Sequence, residues 1–135
     1  MIFTLNRSIE ILERTPVVVS ELTEGLSSEW TNTNEGQGSW TVFDVVGHLI
    51  HADKTDWIPR AEIILSDSND KAFPPFDRFA QMETSKGKTL LQLLVEFKTV
   101  RISSITMLKN LKITEQDFSK SWMNTCFRKV LLRNL

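Results

Sequence analysis

The chain has 135 residues and a formal net charge of −1, with 16 Lys plus Arg against 17 Asp plus Glu. This length, together with 41% hydrophobic residues, predicts one globular domain that spans residues 1–135. Because both signs of charge are scattered along the chain, we expect no nucleic-acid partner and no membrane-surface partner. No apolar run approaches the ~18 residues that a membrane span requires.

The single cysteine and the first residues bear on the compartment. Cys126 cannot form a disulfide within the chain, which favours a reducing environment. Asn6, Arg7 and Glu10 interrupt the region where a secretory signal would carry its apolar segment. We therefore expect a cytoplasmic protein.

The first periodic block is an apolar stripe with spacings of three and four residues, which indicates one face of a helix. Its members are Ile2, Leu5, Ile9, Leu12, Pro16, Val19, Leu22 and Leu26. Because a proline inside a helix removes one backbone donor, Pro16 predicts either a kinked helix or two abutting helices that share this face. A polar loop over residues 31–39 follows.

The second block begins at Thr41 and Asp44, whose spacing is that of a helix-starting capping box. Its apolar face continues to Ile64, and Pro59 predicts a bend near residues 55–57. Residues 67–88 then show no periodic pattern, which is typical of a long connecting loop. Three aromatic side chains are expected to attach this loop to the core: Phe73, Phe76 and Phe79.

The third block starts at Thr89 as a predicted N-cap and runs to about Asn110. Its core positions repeat at heptad spacing: Leu90, Leu94, Phe97, Arg101, Ser104, Leu108 and Leu111. Three long amphipathic helices without a strand pattern predict an all-α bundle. Three wide apolar faces would bury one another incompletely, so a fourth helix is implied, and residues 129–135 resemble its opening turns.

The only two histidines, His48 and His51, lie on the second predicted helix. Asp44, His48, His51, Thr55 and Glu62 fall within about 60° of one another on a helical wheel. This polar stripe has two alternative interpretations. It can be part of a divalent-metal site, because imidazole and carboxylate are suitable ligands, or it can be the solvated side of the helix.

The neighbours of the histidines refine this prediction. His48 borders apolar positions and is expected to point toward a groove between helices, whereas His51 is expected to be more exposed. Gly47 weakens a helix unless a neighbour packs closely there, so a close helix contact is predicted beside His48. Asp53 and Asp56 are expected on a solvated face, and the tryptophans at positions 30, 40, 57 and 122 are expected to be packing anchors.

The segment over residues 39–49, which contains Trp40, Asp44, Gly47 and His48, resembles the signature of the DinB-like (DinB/YfiT-like) superfamily. Four further segments are similar to the family and occur along the chain in the family's order, at residues 12–16, 56–61, 73–77 and 90–97. The resemblance covers the chain from about Ile9 to Phe118. It implies an up-down four-helix bundle, with the last helix truncated or incomplete in this sequence.

The resemblance also implies a divalent transition metal, such as Zn, Ni, Mn or Fe, bound by one histidine of the second helix and two of the last. The matching first ligand is His48. The other two have no counterpart, and residues 121–126 depart from the family's pattern before the last helix. A naturally shortened chain, a frameshift and a truncated product all remain open.

Two functions follow as hypotheses. The first, implied by the resemblance, is a metal-dependent hydrolase or a transferase of low-molecular-weight thiols, with a small-molecule substrate or thiol cofactor and with His48 as the remaining metal ligand. The second is a non-catalytic helical module, in which an incomplete bundle exposes an apolar groove and forms a homodimer or binds another protein.

Overall fold

The computed structural model describes residues 4–114 and residue 117, and all regular structure within them is helical. The helices in chain order are α1 (Leu5–Thr23), α2 (Ser28–Asn32), α3 (Val42–Thr55), α4 (Trp57–Leu65), α5 (Ala80–Thr84) and α6 (Leu90–Asn110). Helix α6 packs against both α1 and α3. The predicted all-α architecture is confirmed.

Capping boxes start α3 and α6: the first is predicted by the sequence, and at the second the sequence predicts only Thr89 as the N-cap. At α3 the Asp44 amide donates to Thr41 Oγ1 at 3.1 Å, and the Thr41 amide donates to Asp44 Oδ2 at 3.0 Å. At α6, Thr89 and Gln92 form the same reciprocal pair. These bonds satisfy backbone donors that a helix start otherwise leaves without an intrahelical partner.

Pro16 and Pro59 affect their predicted helices differently. Helix α1 runs continuously through Pro16, which is buried, so it is one helix rather than two abutting ones. The second block breaks at Asp56, with φ −109° and ψ −77°, and this break separates α3 from α4. The predicted bend is therefore confirmed at its expected place.

The buried side chains form two clusters along the bundle. One joins α1, α4 and α6 through Ile9, Leu12, Trp57, Ile58, Ala61, Ile64, Ile105 and Leu108. The other joins α3 and α6 through Val46, Ile50, Leu93, Leu94 and Phe97. The predicted heptad positions of α6 from Leu94 to Leu108 are all buried, including the polar Arg101 and Ser104.

The long connection between α4 and α6 is attached by two of its three predicted aromatic contacts. Phe73 packs against the first core cluster, and Phe76 packs against the histidines of α3. Phe79 is 52% exposed, so its predicted role as a core anchor is wrong. The connection also contains the short helix α5, which the sequence pattern did not predict.

The predictions for Cys126, Trp122 and the start of a last helix at residues 129–135 lie outside the described residues. After α6, the Thr114 amide donates to Asp117 Oδ2 at 2.9 Å. Among the described residues, no helix is long and apolar enough to cross a membrane.

Candidate functional site

A cavity of about 580 Å³ opens beside the middle of α3. Its walls come from the loop before α3, from α3 and α4, and from the connection that follows α4. The lining residues are Gly38, Trp40, His48, Ala52, Asp56, Arg60, Phe76 and Arg78. This cavity combines aromatic walls with one imidazole, one carboxylate and two guanidinium groups.

His48 occupies the centre of this arrangement. Its ring centroid lies 4.8 Å from that of Trp40 and 5.5 Å from that of Phe76, which meets it edge-on. Gly38 adopts φ +85°, a left-handed conformation that favours glycine, two residues before Trp40. The predicted position of His48 in a groove is confirmed, and the two aromatic rings fix the plane of its imidazole.

One ring nitrogen of His48 and the pKa of its imidazole define the state of this residue. Nδ1 is buried and has no partner at hydrogen-bonding geometry among the described residues. Burial of the ring lowers the pKa of His48 below 6.5, and the nearby charges of His51 and Arg78 lower it further. Asp56 and the Arg78 backbone act in the opposite direction but do not reverse the shift. Near neutral pH the imidazole is therefore uncharged, which is the form that can ligate a metal.

His51 and Asp44 do not join His48 in a ligand set. His51 is half-buried rather than exposed; its ring lies 5.1 Å from that of Phe76, and its Nε2 lies 3.3 Å from Thr55 Oγ1. Asp44 is used by the capping box at the start of α3. Within residues 4–114 and 117, no group of three or more His, Cys, Asp or Glu side chains is arranged to hold a metal ion.

The expected solvated positions of Asp53 and Asp56 are wrong, because both residues are buried. Asp56 lies in the cavity wall, with its Oδ1 2.7 Å from Arg60 Nε. Asp53 faces the core instead, where Arg101 Nε lies 2.7 Å from its Oδ2 and Trp57 Nε1 donates to its Oδ1 at 2.8 Å. The sequence carried one signal for this second pair: a charged Arg101 at a heptad core position requires a buried counter-charge.

Gly47 permits α5 to approach α3 beside His48, as its position in the sequence predicts. A Cβ atom added at Gly47 would lie 2.5 Å from Ser85 Oγ and 3.8 Å from Gln81 Cβ. Ser85 and Gln81 are both buried. The end of α5 thus packs against the helix turn that carries His48, and a Cβ atom at position 47 would require the Ser85 hydroxyl to move.

The tryptophans divide among different roles. Trp57 is buried at 1% exposure and is a packing anchor, as expected. Trp30 is 72% exposed, so the same expectation is wrong there. Trp40 is a wall of the His48 cavity, a role that its position next to the start of α3 did not reveal.

Comparisons with known proteins identify the class of fold. No family model and no curated protein sequence matches the chain. Among solved structures, the chain is similar to YfiT from Bacillus subtilis, described as a probable metal-dependent hydrolase with an unusual four-helix bundle topology. The TM-score is 0.66 at 23% sequence identity, over 84% of this chain and 63% of YfiT. The four-helix-bundle fold implied by the resemblance is therefore confirmed, and the chain spans less than two thirds of its structural neighbour.

Proposed function

We propose that the chain is a metal-dependent hydrolase, or a transferase that joins a low-molecular-weight thiol to an electrophile, with His48 as a metal ligand in the described cavity. The observation that carries this proposal is the imidazole of His48 in the wall of a cavity, with a lowered pKa and with a buried Nδ1 that has no hydrogen-bond partner among the described residues. The description of the structural neighbour YfiT as a probable metal-dependent hydrolase supports the class of reaction.

The described residues fit one ligand position of such a metal. A catalytic site commonly uses about three protein ligands and one open position, and no histidine follows His51 in the sequence. His48 alone would bind a divalent metal weakly. The metal, when bound, would polarise a carbonyl or lower the pKa of a coordinated water or thiol.

The residues of the chain itself position His48 for this role. Trp40 and Phe76 hold the plane of the imidazole, and the close contact of α5 at Gly47 fixes the helix turn below it. Burial of the ring disfavours the imidazolium that would repel a cation. These contacts reduce the rearrangement that ligand binding would otherwise require.

The test compares metal affinity in His48→Ala with the matched control His51→Ala, using titration with Zn²⁺ or Ni²⁺. Both histidines lie on α3 and are half-buried, so the two variants remove similar side chains. We expect metal affinity to fall by about tenfold or more in His48→Ala and to stay unchanged in His51→Ala. Substitution of residues that only support a metal ligand already costs about tenfold, so loss of the ligand itself should cost at least as much. Equal affinity in His48→Ala and in the unaltered protein would exclude His48 as a ligand.

A second candidate function is a non-catalytic module that forms a homodimer. The observation that favours it is a pair of exposed apolar stripes, one on α1 with Ile11, Val18 and Leu22, and one on α6 with Leu91, Val95 and Ile102. Each stripe follows helical spacing, and exposed apolar patches commonly mark interaction surfaces. Sedimentation at micromolar concentration tests this candidate: a dimer dissociated by Val18→Glu supports it, and a monomer contradicts it.

A further inference from the structure

Among the described residues, Arg78 is a cation in the cavity wall without a carboxylate partner. The other guanidinium of the cavity, that of Arg60, lies 2.7 Å from the carboxylate of Asp56. Arg78 makes no ion pair with any residue in the described part of the chain. The cavity therefore holds two guanidinium groups against one carboxylate, although the whole chain has a net charge of −1.

Aromatic faces hold the guanidinium of Arg78 in place. Its Cζ atom lies 5.4 Å from the ring centroid of Trp40 and 4.7 Å from that of Phe79. Contacts of this kind attract a cation through the ring face and do not consume its N–H donors. The planar set of N–H groups thus remains able to bind an oxyanion through two parallel hydrogen bonds. The contact also gives the exposed Phe79 a role other than core packing.

The guanidinium of Arg78 and the imidazole of His48 line the same cavity, and both lie against the ring of Trp40. The positive charge of Arg78 creates an electric field in this cavity. That field disfavours a second positive charge on a ligand and favours a negative one. The rings of Trp40 and Phe76 and the methyl group of Ala52 also line the cavity and provide apolar wall. A volume of about 580 Å³ is that of a small-molecule pocket.

We infer that the cavity binds a small apolar molecule that carries a carboxylate or phosphate group, with the oxyanion on Arg78 and the apolar body against Trp40 and Phe76. This inference rests on the proposed function in that it names the substrate class for the same cavity. It does not require the metal, because every group that it uses belongs to the chain.

The test measures binding of benzoate and of its uncharged isostere benzamide to the full chain after treatment with a chelator. Chemical-shift titration followed by NMR gives both dissociation constants. Benzoate is expected to bind about tenfold more tightly, the value of one charge-assisted hydrogen-bonded contact. Phenyl phosphate, measured in the same way, distinguishes a preference for phosphate from one for carboxylate.

Two variants assign the preference to its source. Arg78→Gln should abolish the difference between benzoate and benzamide, because it removes the charge and the planar donors. Lys98→Gln removes one positive charge from an exposed position of α6 and should leave the difference intact. Raising the ionic strength should reduce the preference in the unaltered protein.

Equal affinity for benzoate and benzamide, or a preference that persists in Arg78→Gln, would overturn the inference. These outcomes are distinguishable from a failure of the proposed function, which is measured by metal affinity in His48→Ala. A chain that binds metal through His48 but does not prefer benzoate refutes the ligand class alone. A chain that prefers benzoate but does not use His48 for metal refutes the metal role alone.

Discussion

Asp53→Asn should destabilise the fold far more than the loss of any surface ion pair. Asp53 and Arg101 are 2% and 0% exposed, and Arg101 Nε lies 2.7 Å from Asp53 Oδ2. The Cζ atom of Arg101 lies 5.8 Å from the ring centroid of Trp57 and 5.0 Å from that of Phe97, which belong to different core clusters. Trp57 Nε1 donates to the second oxygen of the Asp53 carboxylate. The substitution keeps the shape of the side chain but leaves the guanidinium buried without its counter-charge.

The size of the effect follows from the burial of Arg101. Its Nη1 and Nη2 atoms are already buried without hydrogen-bond partners among the described residues, so no nearby acceptor can replace the carboxylate. Removing one partner of such a pair costs about 3–5 kcal/mol in the free energy of unfolding. For a chain of this length that loss corresponds to a decrease of roughly 10–20 °C in Tm.

Urea unfolding followed by far-ultraviolet circular dichroism measures this loss, and Glu96→Gln is the control. Glu96 contacts Lys54 at 2.6 Å and Lys88 at 2.7 Å, but these groups are partly exposed, so the control should lose less than about 1 kcal/mol. The double variant Asp53→Leu with Arg101→Met should recover much of the stability, because it removes both charges. A loss below about 1 kcal/mol in Asp53→Asn would show that the buried pair contributes no more than a surface ion pair.

The remaining predictions concern the site and its supports. Gly47→Ala should lower the free energy of unfolding by about 1–3 kcal/mol through its clash with Ser85 Oγ, and Ser85→Ala in the same chain should restore it; no recovery in urea unfolding would contradict the close contact. NMR titration should give a pKa below 6.5 for His48, and this pKa should rise in Arg78→Gln because a neighbouring positive charge is removed; an unchanged or lower value would contradict the placement of Arg78. With this lowered pKa, the folded state binds fewer protons than the unfolded state at mildly acidic pH, so the free energy of unfolding should decrease as the pH falls from 6.5 through the folded-state pKa of His48. His48→Gln should remove this part of the pH dependence of the urea midpoint. Thr89→Ala should cost about 1 kcal/mol in the same assay through loss of the α6 cap, and an unchanged urea midpoint would contradict that role.

The elements were predictable where the sequence itself carries a local signal. Thr41 and Thr89 start helices because their side chains bond to nearby backbone donors, and these bonds depend only on residues three positions away. The heptad positions of α6 were equally readable, since helical periodicity places them on one face. The break at Asp56 followed from Pro59, which disfavours a continuous helix before it.

The cavity was less predictable, because its walls come from distant parts of the chain. The helical wheel placed His48 with Asp44 and His51, but Trp40, Phe76 and Arg78 surround it through tertiary contacts that no periodicity encodes. Asp53 was likewise predicted to be exposed to solvent, whereas the packing of α3 against α6 buries it against Arg101. An arginine at a core position and a glycine before a histidine were the local signs of these contacts.

NMR of the two histidines tests most directly whether His48 binds a metal in the described cavity. Because the chain has only two histidines, the ring signals of His48 and His51 can be assigned from single variants and followed together by NMR during titration with Zn²⁺. We expect the metal to shift or broaden the ring signals of His48 at lower concentration than those of His51. A titration that perturbs His51 first, or neither histidine, would contradict this expectation.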